Sequence, residues 1–254
     1  MTGNIKTAEF IDNKNMGKER PIFRRSILHE FPDIPLYAAN LYNIYKKYGN
    51  SNGLNYVSEV GNKIIVSGKI DIDSLKRTTI YLNGNNNSMT FDDLRNVFKL
   101  DVACVKESNI TINSPNTIRG LTIFCSHGSS VAMRANCMVA RDVLIYSSKA
   151  HGLYSVVDGS RRFKQGVDIG QRVWLGQGAR ILAGARVGNG SVIGSYSVLA
   201  GRIPNNCAAA GNPCRVTTKD IFWTGKAVPN DGNYFEMLKQ INKEMPEFIK
   251  MTED

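Results

Sequence analysis

The chain has 254 residues, of which 42% are hydrophobic and 21% charged, and its formal net charge is +10 at pH 7. No stretch approaches the roughly 18 uninterrupted apolar residues of a membrane span, and the polar opening MTGNIKTAEF is unlike a secretory signal. We therefore expect a cytoplasmic protein without an integral membrane segment. The positive charge favours anionic ligands in general, but no nucleic-acid recognition motif accompanies it, and we expect no nucleic-acid partner.

The first hundred residues carry mixed patterns. Residues 1–25 are predicted to form a polar arm, and apolar spacing in PDIPLYAANLYNIYKKY (32–48) predicts a helix that ends near Gly49. Short β-rich stretches follow, with a short helix predicted in MTFDDLRNVF (89–98), begun by Thr90. For residues 26–106 the sequence leaves two alternatives, which are irregular first coils of a larger β-fold or a small α/β cap.

From Ile169 to Ile203 an aliphatic residue recurs at every sixth position, in IGQRVW, LGQGAR, ILAGAR, VGNGSV, IGSYSV and LAGRIP. A period of six fits neither an α-helix nor a flat strand, but it is typical of hexapeptide repeats. In such repeats each hexad is one side of a triangular prism and three hexads make one coil. The aliphatic lead residues fill the interior: Ile169, Leu175, Ile181, Val187, Ile193 and Leu199. The mostly small fifth residues let the next side turn in: Val173, Ala179, Ala185, Ser191, Ser197 and Ile203.

Extending this period in both directions predicts the domain organisation of a β-dominated chain. The upstream lead positions are Leu121, His127, Met133, Val139 and Ile145, which predicts a β-helix over residues 107–216. It follows an N-terminal arm and an irregular α/β or early-coil region (1–106) and precedes a C-terminal tail (217–254). The text HGLYSVVDGSRRFKQG (151–166) is not hexad-like, which predicts a loop over 152–166. Helical spacing in the tail predicts a docking helix, carried by Tyr234, Leu238, Ile241 and Met245.

The cysteines and histidines indicate which kinds of site the chain can form. Five cysteines without a CxxC pattern support neither a disulfide framework nor a zinc site. The three histidines, His29, His127 and His151, offer no close pair for a three-histidine zinc site, and we expect no metal. His151 stands where the regular hexads stop and the loop begins. Because an ordinary imidazole can accept a hydroxyl proton at neutral pH, His151 is the candidate general base.

The stretch from His151 to Trp223 resembles the hexapeptide-repeat O-acetyltransferases, whose fold is a left-handed parallel β-helix. It is most similar to the members that act on bacterial capsular polysaccharides, the polysialic acid O-acetyltransferases. The segments that carry the resemblance are HGLYSVVDGSR (151–161), VWLG (173–176), the hexads, AGNPCRV (210–216) and IFW (221–223). A left-handed crossover is an exception to the usual right-handed rule for parallel strands. The first hundred residues carry no comparable signature.

The resemblance implies a homotrimer that uses acetyl-CoA as cosubstrate. It implies that His151 deprotonates the acceptor hydroxyl, which then attacks the thioester directly without an acyl-enzyme. The backbone N–H of Gln177 is implied to support the thioester oxygen. Contacts to CoA, whose pantetheine arm lies between neighbouring subunits, are implied for Trp174, Gln177, Ser195, Ala200, Gly201 and Arg215, with Lys219 as a further candidate.

The remaining implied site residues face the acceptor. Trp174 occupies an outward position, which indicates either a wall of the acceptor or pantetheine channel, beside His151 in the catalytic centre, or packing against a neighbouring subunit. Tyr154, Ser155 and Arg161 lie on the loop and match the capsular members, with Arg161 placed to meet an acceptor carboxylate. A solvated basic loop would show the same residues.

One position departs from the pattern of the relatives, which often carry an acidic residue two positions before the histidine. Here that position is Lys149, so Asp142, Asp158 or a backbone carbonyl must orient the imidazole. The leading hypothesis is acetyl transfer to an acidic capsular or cell-surface polysaccharide. Two alternatives stay open. The acceptor could be small (a free sugar, an antibiotic or serine). Alternatively, the chain could be a non-catalytic glycan-binding scaffold, an alternative that remains open because Lys149 replaces the acidic residue.

Overall fold

The computed structural model describes residues 37–113, 116–148, 152–162, 165–225, 236, 238–239, 243 and 248–253. The predicted N-terminal arm and His29 lie outside these ranges. Within them, no helix combines the length and the apolar character that crossing a membrane requires. The described ranges contain the helices α1 (Leu41–Tyr48) and α2 (Ile72–Lys76).

Strands make up most of the described chain. In chain order they are β1 (Tyr37–Asn40), β2 (Gly49–Asn50), β3 (Gly53–Val57), β4 (Lys63–Val66), β5 (Thr78–Asn83), β6 (Ser88–Phe91), β7 (Leu100–Val105), β8 (Asn109–Ile112), β9 (Thr117–Ile118), β10 (Leu121–Ser126), β11 (Ser130–Met133), β12 (Met138–Val139), β13 (Val143–Tyr146), β14 (Val167–Ile169), β15 (Trp174–Leu175), β16 (Arg180–Ile181), β17 (Arg186–Val187), β18 (Val192–Ile193), β19 (Val198–Leu199), β20 (Arg202–Ile203), β21 (Ala208–Ala210) and β22 (Arg215–Thr218).

These strands form three sheets, which are the three sides of a prism. Sheet 1 has the order β1-β5-β7-β10-β13-β16-β19, sheet 2 the order β2-β3-β4-β6-β8-β11-β14-β17-β20, and sheet 3 the order β22-β21-β18-β15-β12-β9. From β4 to β21 the neighbours in each sheet are parallel and come from successive turns of the chain. The chain therefore winds as a parallel β-helix.

The hexad residues occupy the positions that the repeat predicts. The lead residue of one coil pairs with the lead residue of the next, as Ile145 with Ile181 and Leu175 with Ile193. Lead and fifth residues from Ile169 to Leu199 are buried, including the hydroxyl-bearing Ser191 and Ser197. One assignment was wrong. Ile203 pairs with Val187 and is a lead residue, because the corner between Leu199 and Ile203 is two residues shorter than a hexad corner.

The parallel ladders continue upstream of residue 107 without interruption. β4 pairs with β6, and β5 pairs with β7, both in parallel. Of the two alternatives for the early region, residues 63–105 form coils. At the open end of the prism, α1 buries Leu41 and Ile44 in the same core, and its N-cap Asn40 accepts a hydrogen bond from the backbone N–H of Tyr42 at 3.0 Å.

Two upstream predictions were wrong. Ser88–Phe91 is a strand rather than the start of a helix, because Met89 and Phe91 alternate into the core between β4 and β8. Leu121 is not a lead residue. Ile123, not Leu121, pairs with Ile145, since this coil is four residues longer than the regular 18. His127, predicted at a lead position, consequently lies in a turn with a φ of 56°.

All five cysteines are buried and free. Cys137 lies at a fifth position, two residues before the lead residue Val139, and Cys125 pairs with Cys104 across β10 and β7. Burial raises the pKa of the Cys137 thiol to about 12. All five thiols fill interior space, where a substrate cannot reach them.

The C-terminal tail is described in part. Glu236, Leu238, Lys239 and Lys243 are helical, whereas Tyr234, Ile241 and Met245 of the predicted docking face lie outside the described residues. Phe248 is buried, and residues 248–253 dock on the prism through the buried Asn206, whose side-chain amide donates to the Phe248 carbonyl at 2.7 Å.

Candidate functional site

Three edges join the three sheets, and each carries different residues. We call residues 147–148, 152–162, 165–166, 182–184 and 200–201 the loop edge, which joins sheet 1 to sheet 2. Residues 170–172, 188–190 and 204–206 form the C-terminal edge, between sheets 2 and 3. Residues 176–178 and 194–196 form the glutamine edge, between sheet 3 and sheet 1.

The loop edge carries the predicted excursion. Ile145 and Ile169 are consecutive lead residues, yet 24 residues separate their positions instead of six. Residues 153–162 of this excursion form a hairpin, in which Tyr154 and Arg161 make an antiparallel bridge. The Arg162 N–H donates to the Leu153 carbonyl at 2.7 Å. The predicted acceptor contacts Tyr154, Ser155 and Arg161 thus lie together on one hairpin.

The turn of this hairpin is held by Asp158. Its carboxylate accepts hydrogen bonds from the backbone N–H of Ser160 at 3.0 Å and from the Ser160 hydroxyl at 2.7 Å. These bonds hold the pKa of Asp158 below its ordinary value. Arg162 lies 3.5 Å from the same carboxylate. Asp158, one candidate for orienting His151, is therefore already engaged within the hairpin.

The hairpin returns to the prism at Gly166. The Gly166 N–H donates to the Ser147 carbonyl at 2.8 Å, and the Gly166 carbonyl accepts from the N–H of Gly184 at 2.7 Å. The excursion thus begins and ends on the same edge, in line with Leu182–Gly184 and with Ala200–Gly201 of the following coils. Ala200 is exposed, and a Cβ added at Gly201 would meet no atom within 4 Å.

His151 and Lys149 lie outside the described residues, so the general base remains a prediction. Asp142, another candidate for orienting it, lies 3.0 Å from Arg180 in an ion pair. Tyr154 is exposed, Ser155 is half-buried, and Leu153, Val156 and Val157 present an exposed apolar tip beside them.

The glutamine edge stacks Gln177 on the corner that holds Ser195, one coil later. A Cβ added at Gly176 would lie 2.6 Å from the backbone nitrogen of Ser195, so only glycine permits this approach. The Gln177 carbonyl accepts from the Tyr196 N–H at 2.7 Å, and its side chain contacts the Tyr196 hydroxyl at 3.2 Å. Among the described residues no hydrogen-bond acceptor faces the backbone N–H of Gln177 or of Ser195.

Trp174 points outward from sheet 3 and is 36% exposed. Its ring lies 6.0 Å from that of Trp223, which donates its indole N–H to the Arg172 carbonyl at 2.9 Å. The buried Arg172 donates in return to the Trp223 carbonyl at 2.7 Å and lies over its ring. Sequence reasoning missed this support for Trp174, because 51 residues separate Arg172 from Trp223 and no periodicity links them.

Arg215 and Lys219 lie outside the parallel coils. Arg215 begins β22, which pairs in antiparallel fashion with β21, and its guanidinium donates to the Cys214 carbonyl at 2.9 Å. Lys219 follows the end of β22, and both side chains are exposed. The predicted CoA contacts therefore fall on the glutamine edge, on the loop edge and on β22. Sheet 1 separates the two edges, so these residues do not all lie on one side of the prism.

The described part of the chain contains no group of three or more histidine, cysteine, aspartate or glutamate side chains that could hold a metal ion. The chemistry available at these edges is that of backbone amides, hydroxyls, guanidinium groups and aromatic faces.

Comparisons with known proteins agree with this geometry. Residues 166–201 match the family profile described as bacterial transferase hexapeptide (six repeats). A polysialic acid O-acetyltransferase of Escherichia coli O1:K1 / APEC is 35% identical over 126 residues, which are 49% of this chain and 41% of that protein. The chain thus spans less than half the length of this curated relative.

Two solved structures extend the likeness over most of the chain. The polySia-specific acetyltransferase NeuO has a TM-score of 0.55 and 27% identity, covering 70% of this chain and 84% of that one. The polysialic acid O-acetyltransferase OatWY has a TM-score of 0.54 and 25% identity, covering 76% and 88%. These likenesses confirm the predicted left-handed parallel β-helix and the resemblance to hexapeptide-repeat O-acetyltransferases.

Proposed function

We propose that this chain is an acetyl-CoA-dependent O-acetyltransferase that acetylates a hydroxyl of an acidic polysaccharide in the cytoplasm. The observation that carries the proposal is the hairpin of residues 153–162, which is inserted at one edge of a hexapeptide β-helix similar to two polysialic acid acetyltransferases. The hairpin presents Tyr154, Ser155 and Arg161 beside the edge where the regular coils leave Ala200 and Gly201 accessible.

In the proposed reaction His151 takes the proton of the acceptor hydroxyl. The hydroxyl oxygen forms a bond to the carbonyl carbon of the acetyl thioester, the carbon–sulfur bond breaks, and the CoA thiolate leaves and takes up the proton. The uncommitted N–H of Gln177 is suited to stabilise the negative charge on the thioester oxygen. The burial of all five cysteines supports a direct transfer, since no accessible thiol is available to form an acyl-enzyme.

We further propose that the active unit is a homotrimer with CoA bound between subunits. The separation of the predicted CoA contacts onto two edges supports this assembly, because contacts from neighbouring copies would complete one site. The exposed Leu153, Val156 and Val157 also favour it, since burying a side chain of this size contributes about 1.5–3 kcal/mol. Arg215, which has no ion pair within the described ranges, is suited to contact a CoA phosphate.

The proposal is tested by thiol release from acetyl-CoA with a panel of acceptors: polysialic acid, other acidic capsular polymers, neutral glycans, small sugars and serine. We expect release that depends on an acidic polymer. Release with small sugars or serine alone would instead establish the small-acceptor alternative. An absence of both thiol release and CoA binding would establish the non-catalytic scaffold.

The role of His151 has its own test. His151→Ala should lower kcat by about 10²–10⁴-fold, the usual contribution of a general base, while CoA binding and the oligomeric state are retained. His127→Asn is the matched control, since asparagine tolerates the φ of 56° at that turn. Near-normal turnover of His151→Ala in steady-state assays across pH 6–9 would remove His151 from the mechanism.

A further inference from the structure

The outer face of sheet 2 carries a row of charged side chains that the proposed reaction does not use. Asp168, Arg186 and Arg202 pair with one another in register on β14, β17 and β20. Each directly precedes a buried lead residue, so each points outward. Since neighbouring strands lie about 4.8 Å apart, the two arginines stand one above the other at that spacing.

These residues line an open groove of about 710 Å³. One wall comes from the C-terminal edge, and another comes from residues 248–253, where the Glu253 N–H donates to the side chain of Asn205 at 2.8 Å. Arg134 and Lys250 complete the basic lining, so the groove holds four basic side chains against the two acidic side chains of Asp168 and Glu253.

The acidic side chains are already paired. Arg134 binds Asp168, and Lys250 lies 3.0 Å from Glu253. Within the described ranges, Arg186 and Arg202 have neither an ion pair nor a side-chain hydrogen bond. Two adjacent, exposed guanidinium groups thus face the groove without an ion-pair partner among the described residues, and an anionic ligand would find both of them available.

The groove begins where the proposed acetyl transfer takes place. Arg202 directly follows Gly201, and Asp168 lies two residues after Gly166, at which the hairpin returns to the prism. The strands of sheet 2 therefore lead away from the loop edge. A polymer with one sugar at the loop edge must continue past it, and sheet 2 is a face that it can follow.

The lining favours a polysaccharide over a nucleic acid. It contains no aromatic side chain, whereas single-stranded nucleic acids are usually bound by aromatic stacking. Gln171, Asn189 and Asn205 add amide groups that suit sugar hydroxyls.

We propose that this groove, which we call the sheet 2 groove, binds the carboxylates of an acidic polysaccharide at a distance from the acetylated sugar, with Arg186 and Arg202 as its main contacts. The inference rests on the proposed function for the identity of the ligand. It predicts that polymer binding has a component that is independent of the transfer reaction.

The test compares two double variants of the full-length chain. Arg186→Gln/Arg202→Gln removes the two uncommitted charges, and Lys63→Gln/Lys69→Gln removes the same net charge from exposed positions at the early end of the prism. The dissociation constant for polysialic acid is measured by fluorescence titration without acetyl-CoA, with dextran as the neutral polymer. We expect the arginine variant to bind about tenfold more weakly and the lysine control to change less than about twofold.

Each outcome decides the matter. Equal weakening in both variants, unchanged binding by the arginine variant, or no binding of polysialic acid by the wild type would overturn the proposal. Arginine-dependent binding of an oligothymidylate that is tighter than that of polysialic acid would overturn the ligand class. Arginine-dependent polysialic acid binding without thiol release would support the groove and remove the proposed function, whereas thiol release with unchanged binding by the arginine variant would do the reverse.

Discussion

The β-helix is built in two ways along one chain. In the regular region, residues 167–203, strands of two or three residues alternate with short corners and most coils take 18 residues. In the early region, residues 63–146, strands reach six residues and the coils take 21 or 22 residues, apart from the coil between β4 and β6, which takes 25. Both regions share one continuous core. The two regions differ in the length of their strands and of their coils, and only the regular region shows a period of six in its sequence.

Corners of the regular region touch each other through their backbones. At Gly170, Gly176 and Gly188 an added Cβ would lie less than 3 Å from backbone atoms of the next coil. Non-glycine residues with positive φ occur in the corners of both regions, for example His127 and Arg172. Close stacking, and not backbone conformation, is therefore what requires glycine at these three corners of the regular region.

Gly188→Ala should show the largest effect. A Cβ there would lie 2.3 Å from the backbone nitrogen of Asn205 and 2.6 Å from the carbonyl carbon of Pro204, so the two coils must separate. We expect a loss of about 3 kcal/mol in the free energy of unfolding, measured by urea titration with circular dichroism.

Two glycines serve as controls for this variant. Gly201→Ala should leave stability nearly unchanged, because an added Cβ meets nothing within 4 Å and no positive φ is required. Gly128→Ala, in the early region, should lower the free energy of unfolding by about 1 kcal/mol, because alanine would have to adopt a φ of 70° there. If Gly188→Ala were as stable as Gly201→Ala, close corner stacking would not be what imposes the period.

Asn206→Ala should have the next largest effect. Asn206 is 1% exposed, and its side-chain amide donates to the carbonyls of Phe248 at 2.7 Å and Ile221 at 3.0 Å. Alanine would leave both carbonyls without this donor and would have to adopt a φ of 53°. We therefore expect the free energy of unfolding to fall by about 2–3 kcal/mol.

Asn136→Ala is the matched control, because Asn136 has the same corner position in the early region, with a φ of 63° but an exposed side chain. We expect it to cost about 1 kcal/mol. Limited proteolysis should release the C-terminal segment faster from Asn206→Ala than from Asn136→Ala. Equal rates would show that Asn206 does not hold residues 248–253 on the prism.

The sequence predicted the regular region well for a physical reason. Where the corners of successive coils stack closely, glycine and small residues are required at fixed positions. The sequence of this region therefore shows a period of six. In the early region the extra residues lengthen the strands, and turn residues such as His127 follow no repeat. The extrapolated period therefore placed the lead position at Leu121, two residues before the true lead residue, Ile123. The helix expected in MTFDDLRNVF failed because tertiary pairing on both sides of β6 overrides local propensity.

The sequence predicted one part of the candidate site, the hairpin residues, and missed another, the sheet 2 groove. Tyr154, Ser155 and Arg161 follow from the resemblance, and the hairpin brings them together. The sheet 2 groove was missed because its walls include Lys250 and Glu253, which no local pattern connects to the hexads. A partial signal was present, since Asp168, Arg186 and Arg202 each precede a lead residue and must therefore share one outer face.

Asp101→Asn should give the smallest effect, and it would sharpen the contrast between the two regions. Asp101 is an outward residue of the early strand β7, yet it is only 8% exposed, whereas the outward Arg186 and Arg202 of the regular region are exposed. Burial raises the pKa of the Asp101 carboxyl above its ordinary value, and Lys99, 3.7 Å away, together with the Thr79 hydroxyl opposes this only in part.

The sign of the pH dependence follows from that raised pKa. Below the unfolded pKa of about 3.9 both states are protonated and Asp101 costs nothing; as pH rises through the folded pKa, ionisation favours the unfolded chain. Asp101→Asn should therefore be more stable than the wild type at pH 7, by up to about 1 kcal/mol, and equal to it near pH 3. Urea titrations at both pH values measure this difference. A variant less stable at pH 7 would mean that the Lys99 ion pair outweighs burial, and that the early region tolerates outward charge as the regular region does.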